Sequence, residues 1–177
     1  KVQRRNSRRE EPYQTIEEIY DDIADLSGVR VSLYFPGDRG KVDAIISELF
    51  NILEFKQFPE QSKPPTYHKR FSGYWANHYR ARMRDEILNE SQKKYESARI
   101  EIQVASLIMH AWSEVEHDLI YKPMQGTLSE EELSILDELN GLVLAGEIAL
   151  ERLQAAGNER LRSRNAAFGS QYELASY

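Results

Sequence analysis

A short stretch in the second half of the chain places a carboxylate and an amide where they could bind substrate. In SARIEIQVAS (97–106), apolar residues alternate with polar ones that include Glu101 and Gln103. This alternation predicts a strand with one apolar and one polar face. The strand leads directly into LIMHAWSEVEHDLIYKP, a predicted helix, so we expect it to be central. Glu101 could then bind a cation, although a half-exposed strand would carry the same pattern.

A second carboxylate lies in DLSGVR (25–30). A turn explains Asp25 and Gly28 without any function, but GVRVSLYF (28–35) predicts a strand with Arg30 on its polar face. If this strand neighbours the one at 99–104, Asp25, Arg30 and Glu101 converge on one surface. Two carboxylates are suitable ligands for Mg²⁺, with phosphate oxygens and waters completing its shell. Phosphate chemistry is therefore the first hypothesis.

Aromatic and basic residues alternate in a third stretch, GYWANHYRARM (73–83). In an extended chain, Tyr74, His78, Arg80 and Arg82 share one face. A ring beside cations suits a nucleotide, since the base can stack while the phosphates pair with arginine. The alternative is that Tyr74 belongs to the core and the arginines are solvated.

Other catalytic motifs have little support. A metal site needs more ligands at closer spacing than the polar stripe His110, Glu114, His117 and Tyr121 provides, which disfavours zinc. The adjacent pair His117–Asp118 is a weak sign of a metal-dependent phosphohydrolase. The sequence contains no GxxxxGK[ST] and no GxGxxG, so neither a P-loop nor a Rossmann site is supported.

Composition narrows the class of protein. The net charge of −6 argues against a general nucleic-acid binder, and the basic residues form two local clusters, which suggests anion sites. The chain has no cysteine, which excludes disulfides and thiolate metal sites and fits a cytoplasmic location. We see no membrane span and no signal peptide.

The predicted order of elements is helix, strand, helix, strand, strand, helix, helix. This order predicts an α+β fold (α/β mixed) in which helices flank a central mixed sheet. We expect one domain over 1–156 and a partly disordered tail over 157–177. The first predicted helix is capped by Thr15 and Glu18, and the last, over 128–156, by Thr127. Between them we predict strand 28–35, helix 41–54, loop 58–73, strands 74–83 and 99–104, and helix 106–120. The apolar residues of helix 106–120 that we expect to face inward are Ile108, Ala111, Trp112, Val115 and Leu119.

Four stretches together resemble the synthetase domain of the RelA/SpoT-type (p)ppGpp synthetases, particularly the small single-domain members. They occur in the family's order and span residues 25 to 122: DLSGVRV, GYWANH, EIQ and HAWSEVEHDLIYK. The resemblance implies a nucleotidyltransferase-like synthetase fold. It also implies transfer of the β,γ-pyrophosphate of ATP to the 3′-hydroxyl of GTP or GDP, with Mg²⁺ as cofactor.

The resemblance assigns roles to individual residues. Asp25 would ligate Mg²⁺, and Glu101 would share the metal or help to deprotonate the 3′-hydroxyl. Arg30 would pack on the adenine of ATP, and Tyr74 would stack on the guanine. The remaining acceptor-site residues would be His78, Gln103, Lys69, Arg70 and, with a weaker match, Lys122.

The chain also departs from the family. Of the upstream R-x-K-S-x-x-S-x-x-K stretch that binds the ATP phosphates, only the last lysine is matched, by Lys1. This departure favours one alternative, a non-catalytic nucleotide-binding regulatory module. A second alternative is transfer to another acceptor, an adenine nucleotide or the 3′ end of tRNA, because Tyr74 could stack on any base. Small members of the family commonly form homo-oligomers, which the apolar positions of 128–156 would allow.

Overall fold

The computed structural model contains nine helices and strands within the residues it describes. These residues are 2–7, 9–23, 27–59, 71, 73–121 and 126–163. Along the chain the elements are α1 (Val2–Asn6), α2 (Ile16–Asp22), β1 (Gly28–Leu33), α3 (Arg39–Leu49), β2 (Phe50–Phe58), β3 (Ala76–Met83), β4 (Ile100–Ser106), α4 (Leu107–Glu116) and α5 (Glu130–Ser163).

The four strands form one mixed sheet in the order β1-β4-β3-β2. β1 runs parallel to β4, whereas β3 is antiparallel to both of its neighbours. The parallel pair is joined by a long connection that includes the other two strands, as parallel neighbours require. The predicted α+β class, with a central mixed sheet and flanking helices, is confirmed. The predicted adjacency of the strands that carry Arg30 and Glu101 is confirmed as well.

β2 corrects the sequence prediction of a helix over 41–54 and a loop from 58. The helix ends at Leu49, and Phe50 is extended with φ −126° and ψ 147°. From Phe50 the chain pairs with β3, with an irregularity between Ile52 and Glu54. The run FNILEFKQF is rich in aromatic and β-branched residues, which favour a strand. Its first apolar residues also fit the helical spacing of α3, which explains the error.

The core lies mainly between α3 and one face of the sheet. Ile46 of α3 packs against Leu33, Tyr79, Ile102 and Val104. On the same side, the Tyr79 hydroxyl donates a hydrogen bond of 2.5 Å to Asp43 of α3. The apolar side chains of neighbouring strands therefore face α3, and the polar side chains of the same strands lie on the opposite face.

The buried face of α4 matches only in part the one that periodicity predicts. Trp112 is buried as predicted, at 4% exposure. Ala111, Val115 and Leu119, also predicted to face inward, are exposed. Met109 and His110 are buried in addition, at 0% and 6% exposure. The His110 ring lies 3.2 Å from the Val31 carbonyl, so this polar contact with β1 sets the rotation of the helix.

α5 begins at a capping box two positions later than predicted. Ser129, rather than Thr127, accepts the Glu132 amide, and the Glu132 carboxylate accepts from Ser129 in return. The other predicted cap is confirmed, since the Thr15 side chain accepts from the Glu18 amide, although the Glu18 carboxylate accepts from the Gln14 amide rather than from that of Thr15. α5 continues through Ser163, so the predicted domain boundary at Ala156 falls within a helix. Most of the tail lies outside the described residues.

Polar side chains of α5, two of them buried, bond to other segments of the chain. Asp137 accepts a hydrogen bond from the Phe71 amide, Glu147 is bonded to the Ser106 hydroxyl, and Gln154 donates to Asp38. Asp137 and Glu147 are only 4% and 2% exposed. Each contact joins α5 to a different segment, which fixes the long helix across the domain. None of the helices in the described part of the chain has the length and apolar character of a membrane span.

The burial of Glu147 predicts a pH dependence of stability. Burial raises the pKa of this carboxyl above its ordinary 4.5. As the pH rises above that value, the unfolded chain loses the proton first, so the free energy of unfolding falls until the folded-state pKa is passed. Glu147→Gln cannot titrate. It should therefore gain stability relative to the parent with rising pH, by about 1.4 kcal/mol for each pH unit between the unfolded-state and folded-state pKa values.

Urea unfolding of both proteins between about pH 5 and pH 8 measures this difference. Glu138→Gln, an exposed substitution on the same helix, serves as the control. A constant difference between Glu147→Gln and the parent across that range would contradict the prediction.

Candidate active site

The candidate site lies on the polar face of the sheet, where β1, β4 and β3 are side by side. Register pairs Arg30 of β1 with Gln103 of β4, and Gln103 with His78 of β3. Glu101 is opposite Gly28 on one side and Arg80 on the other. Since all strands alternate with period two, these side chains point to the same face.

Glu101 is the centre of a hydrogen-bonded row. Its Oε1 lies 3.3 Å from Nδ1 of His78, and its Oε2 accepts from Nε2 of Gln103 at 3.2 Å. The Gln103 carbonyl oxygen in turn accepts from Nε of Arg30 at 3.4 Å. The row crosses three strands and joins the arginine predicted for the donor site to the histidine predicted for the acceptor site. Gln103 therefore connects the two predicted halves of the site.

His78 contacts Tyr74, which fixes the direction of its hydrogen bonds. Burial raises the pKa of Tyr74 to about 12, so its hydroxyl remains protonated. That hydroxyl lies 3.4 Å from Nε2 of His78 and can donate to it. We therefore assign the imidazole proton to Nδ1, from which it is donated to Glu101. Glu101 is the acceptor for both of its neighbours.

Gly73 allows Tyr74 to reach this position. Its backbone has φ +76°, in the left-handed region that favours glycine. The chain then straightens into β3 at Ala76. The predicted motif GYWANH thus combines a glycine turn with the first residues of a strand.

An aromatic residue that the sequence prediction placed in a loop completes this half of the site. The Phe58 ring at the end of β2 lies 4.6 Å from the His78 ring and 5.9 Å from the Tyr74 ring, between centroids. Tyr74 and His78 meet edge to face, with 5.9 Å between ring centroids. Recognising the strand character of FNILEFKQF would have placed Phe58 on the same face of the sheet as His78, and the register sets it opposite Ala76, two residues before His78.

The arginine Arg80, predicted to pair with phosphates, contacts a carboxylate in the structure. Its Nη1 lies 2.5 Å from Glu54 of β2. The hydrogen bond from Lys56 and, to a lesser extent, the charge of Arg80 lower the pKa of the Glu54 carboxyl. This carboxyl is therefore ionised at neutral pH. Arg80 therefore borders the site as half of an ion pair.

Arg30 has a second partner that sequence reasoning missed. Its Nη2 donates to the carboxylate of Glu114 on α4. Both side chains are about half exposed, at 50% and 52%. In the sequence, Glu114 is identifiable only as part of a polar stripe on a predicted helix.

Five predicted site residues are described by the structure, and all five lie in this cluster: Arg30, Tyr74, His78, Glu101 and Gln103. The other five lie outside the described residues: Lys1, Asp25, Lys69, Arg70 and Lys122. Within the described part of the chain, no group of three or more His, Asp or Glu residues could hold a metal ion.

Comparisons with known proteins identify the family. The sequence profile described as the region found in RelA / SpoT proteins matches residues 1–126. No curated protein gives a significant match.

Solved structures share the fold. Small alarmone synthetase 1 from Bacillus subtilis superposes with a TM-score of 0.66 at 21% identity, covering 89% of this chain and 75% of its own. A GTP pyrophosphokinase family protein from Streptococcus pneumoniae has a TM-score of 0.61 at 20% identity, covering 96% and 75%. Small alarmone synthetase 2 from Bacillus subtilis has a TM-score of 0.55 at 22% identity, covering 82% and 77%.

At these identities the structures establish the fold, and the profile match over most of the chain establishes the family. The row from Arg30 to His78 lies within the matched residues. The chain belongs to the RelA/SpoT family.

Proposed function

We propose that this protein is a GTP/GDP pyrophosphokinase that makes (p)ppGpp. The observation that carries the proposal is the hydrogen-bonded row in which Glu101 joins His78 on one side and, through Gln103, Arg30 on the other. At one end of the row, the planar cation of Arg30 can stack on a purine base. At the other end, the rings of Tyr74 and Phe58 beside His78 can stack on a second base. Two nucleotides can therefore meet on either side of one carboxylate.

Two solved structures of a relative with the same fold support both halves of this proposal. Small alarmone synthetase 1 from Bacillus subtilis has been solved bound to its product pppGpp and bound to AMPCPP. AMPCPP is a non-hydrolysable analogue of ATP. That relative thus binds a donor-like nucleotide and a pyrophosphorylated guanine nucleotide.

In the proposed reaction, the 3′-hydroxyl oxygen of GTP or GDP attacks the β-phosphorus of ATP. The new 3′-O–P bond forms as the β-phosphorus separates from the oxygen that bridges it to the α-phosphorus, so AMP leaves with that oxygen. The hydroxyl proton must be removed during attack. Glu101 is the carboxylate in contact with the acceptor-side residue His78, and we assign it this role.

We also propose that Mg²⁺ binds at Glu101 and Asp25. Carboxylate oxygens are ligands that Mg²⁺ prefers. The Glu101 amide donates to the Ser27 carbonyl at 2.9 Å, so the chain just after Asp25 lies beside Glu101. The ion would neutralise the polyphosphate charge that develops during transfer.

The base-binding residues position the reactants. Arg30 would stack on the adenine of ATP, and Tyr74 on the guanine, with Phe58 and His78 holding its ring in place. Lys69, Arg70 and Lys122 would meet the acceptor's phosphates, and Lys1 those of ATP. In-line geometry of this kind contributes more to phosphoryl transfer than a strong base does.

Location and assembly remain proposals. We propose a cytoplasmic protein, which the absence of cysteine supports. We also propose a homo-oligomer, because α5 exposes apolar residues such as Leu142 and Leu153, at 69% and 61%.

Transfer of label tests the proposed reaction. The full-length protein is incubated with γ-labelled ATP, Mg²⁺ and, separately, GTP, GDP, an adenine nucleotide or bulk tRNA. We expect label to move to GTP or GDP only, and omission of Mg²⁺ to abolish transfer. Label moving to tRNA or an adenine nucleotide would replace the proposed acceptor. No transfer to any acceptor would leave a nucleotide-binding module.

A further inference from the structure

Arg30 makes its hydrogen bonds to Gln103 and Glu114 with the edge of its guanidinium group. Its Nε donates to the Gln103 side chain, and its Nη2 donates to Glu114. Hydrogen bonds of a guanidinium lie in its plane, whereas a base stacks on its face. Two in-plane acceptors on different elements therefore fix the orientation of the plane without competing for the stacking surface. The half-exposed side chain is accessible to a ligand.

Glu114 is itself held in place by the helix that carries it. One turn earlier on α4, His110 lies with Nε2 3.2 Å from the Val31 carbonyl, next to Arg30 on β1. A carbonyl only accepts, so Nε2 carries the proton, and burial lowers the pKa of His110 and favours the neutral ring. α4 is thus fixed to β1 at Val31, and Glu114 meets Arg30 at the next turn.

The charge of Glu114 also affects what Arg30 can bind. A free guanidinium favours phosphate oxygens, which it binds through the same in-plane donors. Gln103 and Glu114 engage two of the five N–H donors of Arg30. The Glu114 carboxylate also places a negative charge beside the cation, which repels phosphate oxygens but leaves the flat face of the guanidinium open to a base. The pair therefore favours recognition of a purine over recognition of a polyphosphate.

We propose that Glu114 is a positioning residue for the donor nucleotide: it orients the Arg30 guanidinium so that the base of a purine nucleoside triphosphate stacks on it. This inference rests on the donor role of Arg30 in the proposed function. It adds a residue on α4, outside the hydrogen-bonded row, to the machinery that selects ATP.

Binding without turnover tests the inference. Isothermal titration calorimetry of the full-length protein with AMPCPP compares the parent with Glu114→Gln, Glu114→Ala and Glu138→Gln, an exposed control on α5. We expect Glu114→Ala to bind AMPCPP about threefold more weakly, in keeping with a half-exposed ion pair, and Glu114→Gln, which keeps an acceptor oxygen, to lose less. Binding of inorganic tripolyphosphate, which lacks the base, should be unchanged or stronger. The control should match the parent with both ligands.

A double variant separates positioning from general electrostatics. Adding Glu114→Ala to Arg30→Ala should weaken AMPCPP binding no further than Arg30→Ala does alone. Additive losses, unchanged AMPCPP binding in the Glu114 variants, or an equal loss of AMPCPP and tripolyphosphate binding would each overturn the inference. So would a parent protein that binds no AMPCPP.

Failure of the proposed function is distinguishable from these outcomes. A parent that binds AMPCPP but transfers no label would overturn the pyrophosphokinase proposal. The calorimetric comparison of the Glu114 variants would still decide the role of Glu114, because it requires no transfer.

Discussion

Glu101→Gln is expected to reduce transfer of label from ATP to GTP or GDP by at least about 100-fold. The substitution keeps the size of the side chain but removes its charge and its capacity to take a proton. It also places an amide beside the Gln103 amide and the His78 ring, both of which donate to the native carboxylate. The loss should therefore appear in kcat under saturating nucleotides and Mg²⁺.

The control for this variant is Glu48→Gln, an exposed substitution on α3. It should transfer label at the parent rate. Thermal unfolding of all three proteins verifies that they are folded at the assay temperature. A folded Glu101→Gln protein with more than about a tenth of the parent kcat would show that Glu101 neither removes the proton nor binds the metal.

Met109→Ala should have the largest effect on stability, lowering the free energy of unfolding by roughly 2–5 kcal/mol. Met109 is fully buried and packs with Ala76 and Ala105, where α4 meets the sheet. Two of its neighbours are already alanines, so their side chains cannot extend into the space that a shorter residue would leave. The melting temperature should fall by roughly 5–15 °C.

Leu107→Ala, in the same turn of α4, is the matched control because Leu107 is 54% exposed. It should change the free energy of unfolding by less than about 0.5 kcal/mol. Urea denaturation measures both variants. Equal effects of the two substitutions would contradict the burial of Met109 and, with it, the observed rotation of α4.

The row across the sheet could be predicted because strands have a period of two. Once Arg30 and Glu101 were assigned to neighbouring strands, alternation alone put them on one face. Register along the strands was not needed for that conclusion. The pattern predicts that Asp25, Arg30 and Glu101 converge on one surface. The structure places Arg30 and Glu101 on one face of neighbouring strands, and Asp25 lies outside the described residues.

β2 and the start of α5 could not be predicted with the same reliability, because the local signals were ambiguous. Phe50 and Leu53 fit both a helix and a strand, and only pairing with β3 selects the strand. Thr127 and Ser129 each precede a glutamate by three residues, so both are possible caps. The local sequence allows a helix or a strand at Phe50 and either of two caps before α5, and tertiary contacts select one in each case.

The contact between Arg30 and Glu114 depends on how α4 crosses β1. The sequence placed Glu114 on a polar stripe but contained no sign of the strand that the stripe would meet. The rotation of α4 depends in turn on His110, whose contact with the Val31 carbonyl reaches a distant strand. Long-range backbone contacts of this kind leave no periodic trace in the sequence.

The polar side of α5 has an evolutionary consequence. Glu147 depends on a side chain, the Ser106 hydroxyl, so an apolar residue at position 106 would leave the Glu147 carboxyl buried without that bond. The Ser106 hydroxyl also accepts from the Met109 amide and keeps that partner when Glu147 changes. A change at position 106 should therefore require a compensating change at position 147, whereas the reverse is not required. Asp137 instead accepts from the backbone amide of Phe71, a bond that any residue except proline could supply. The Phe71 ring lies so close to Gly141 that a Cβ added there would be 2.7 Å from it. Packing against Gly141, rather than that hydrogen bond, therefore constrains the side chain at position 71.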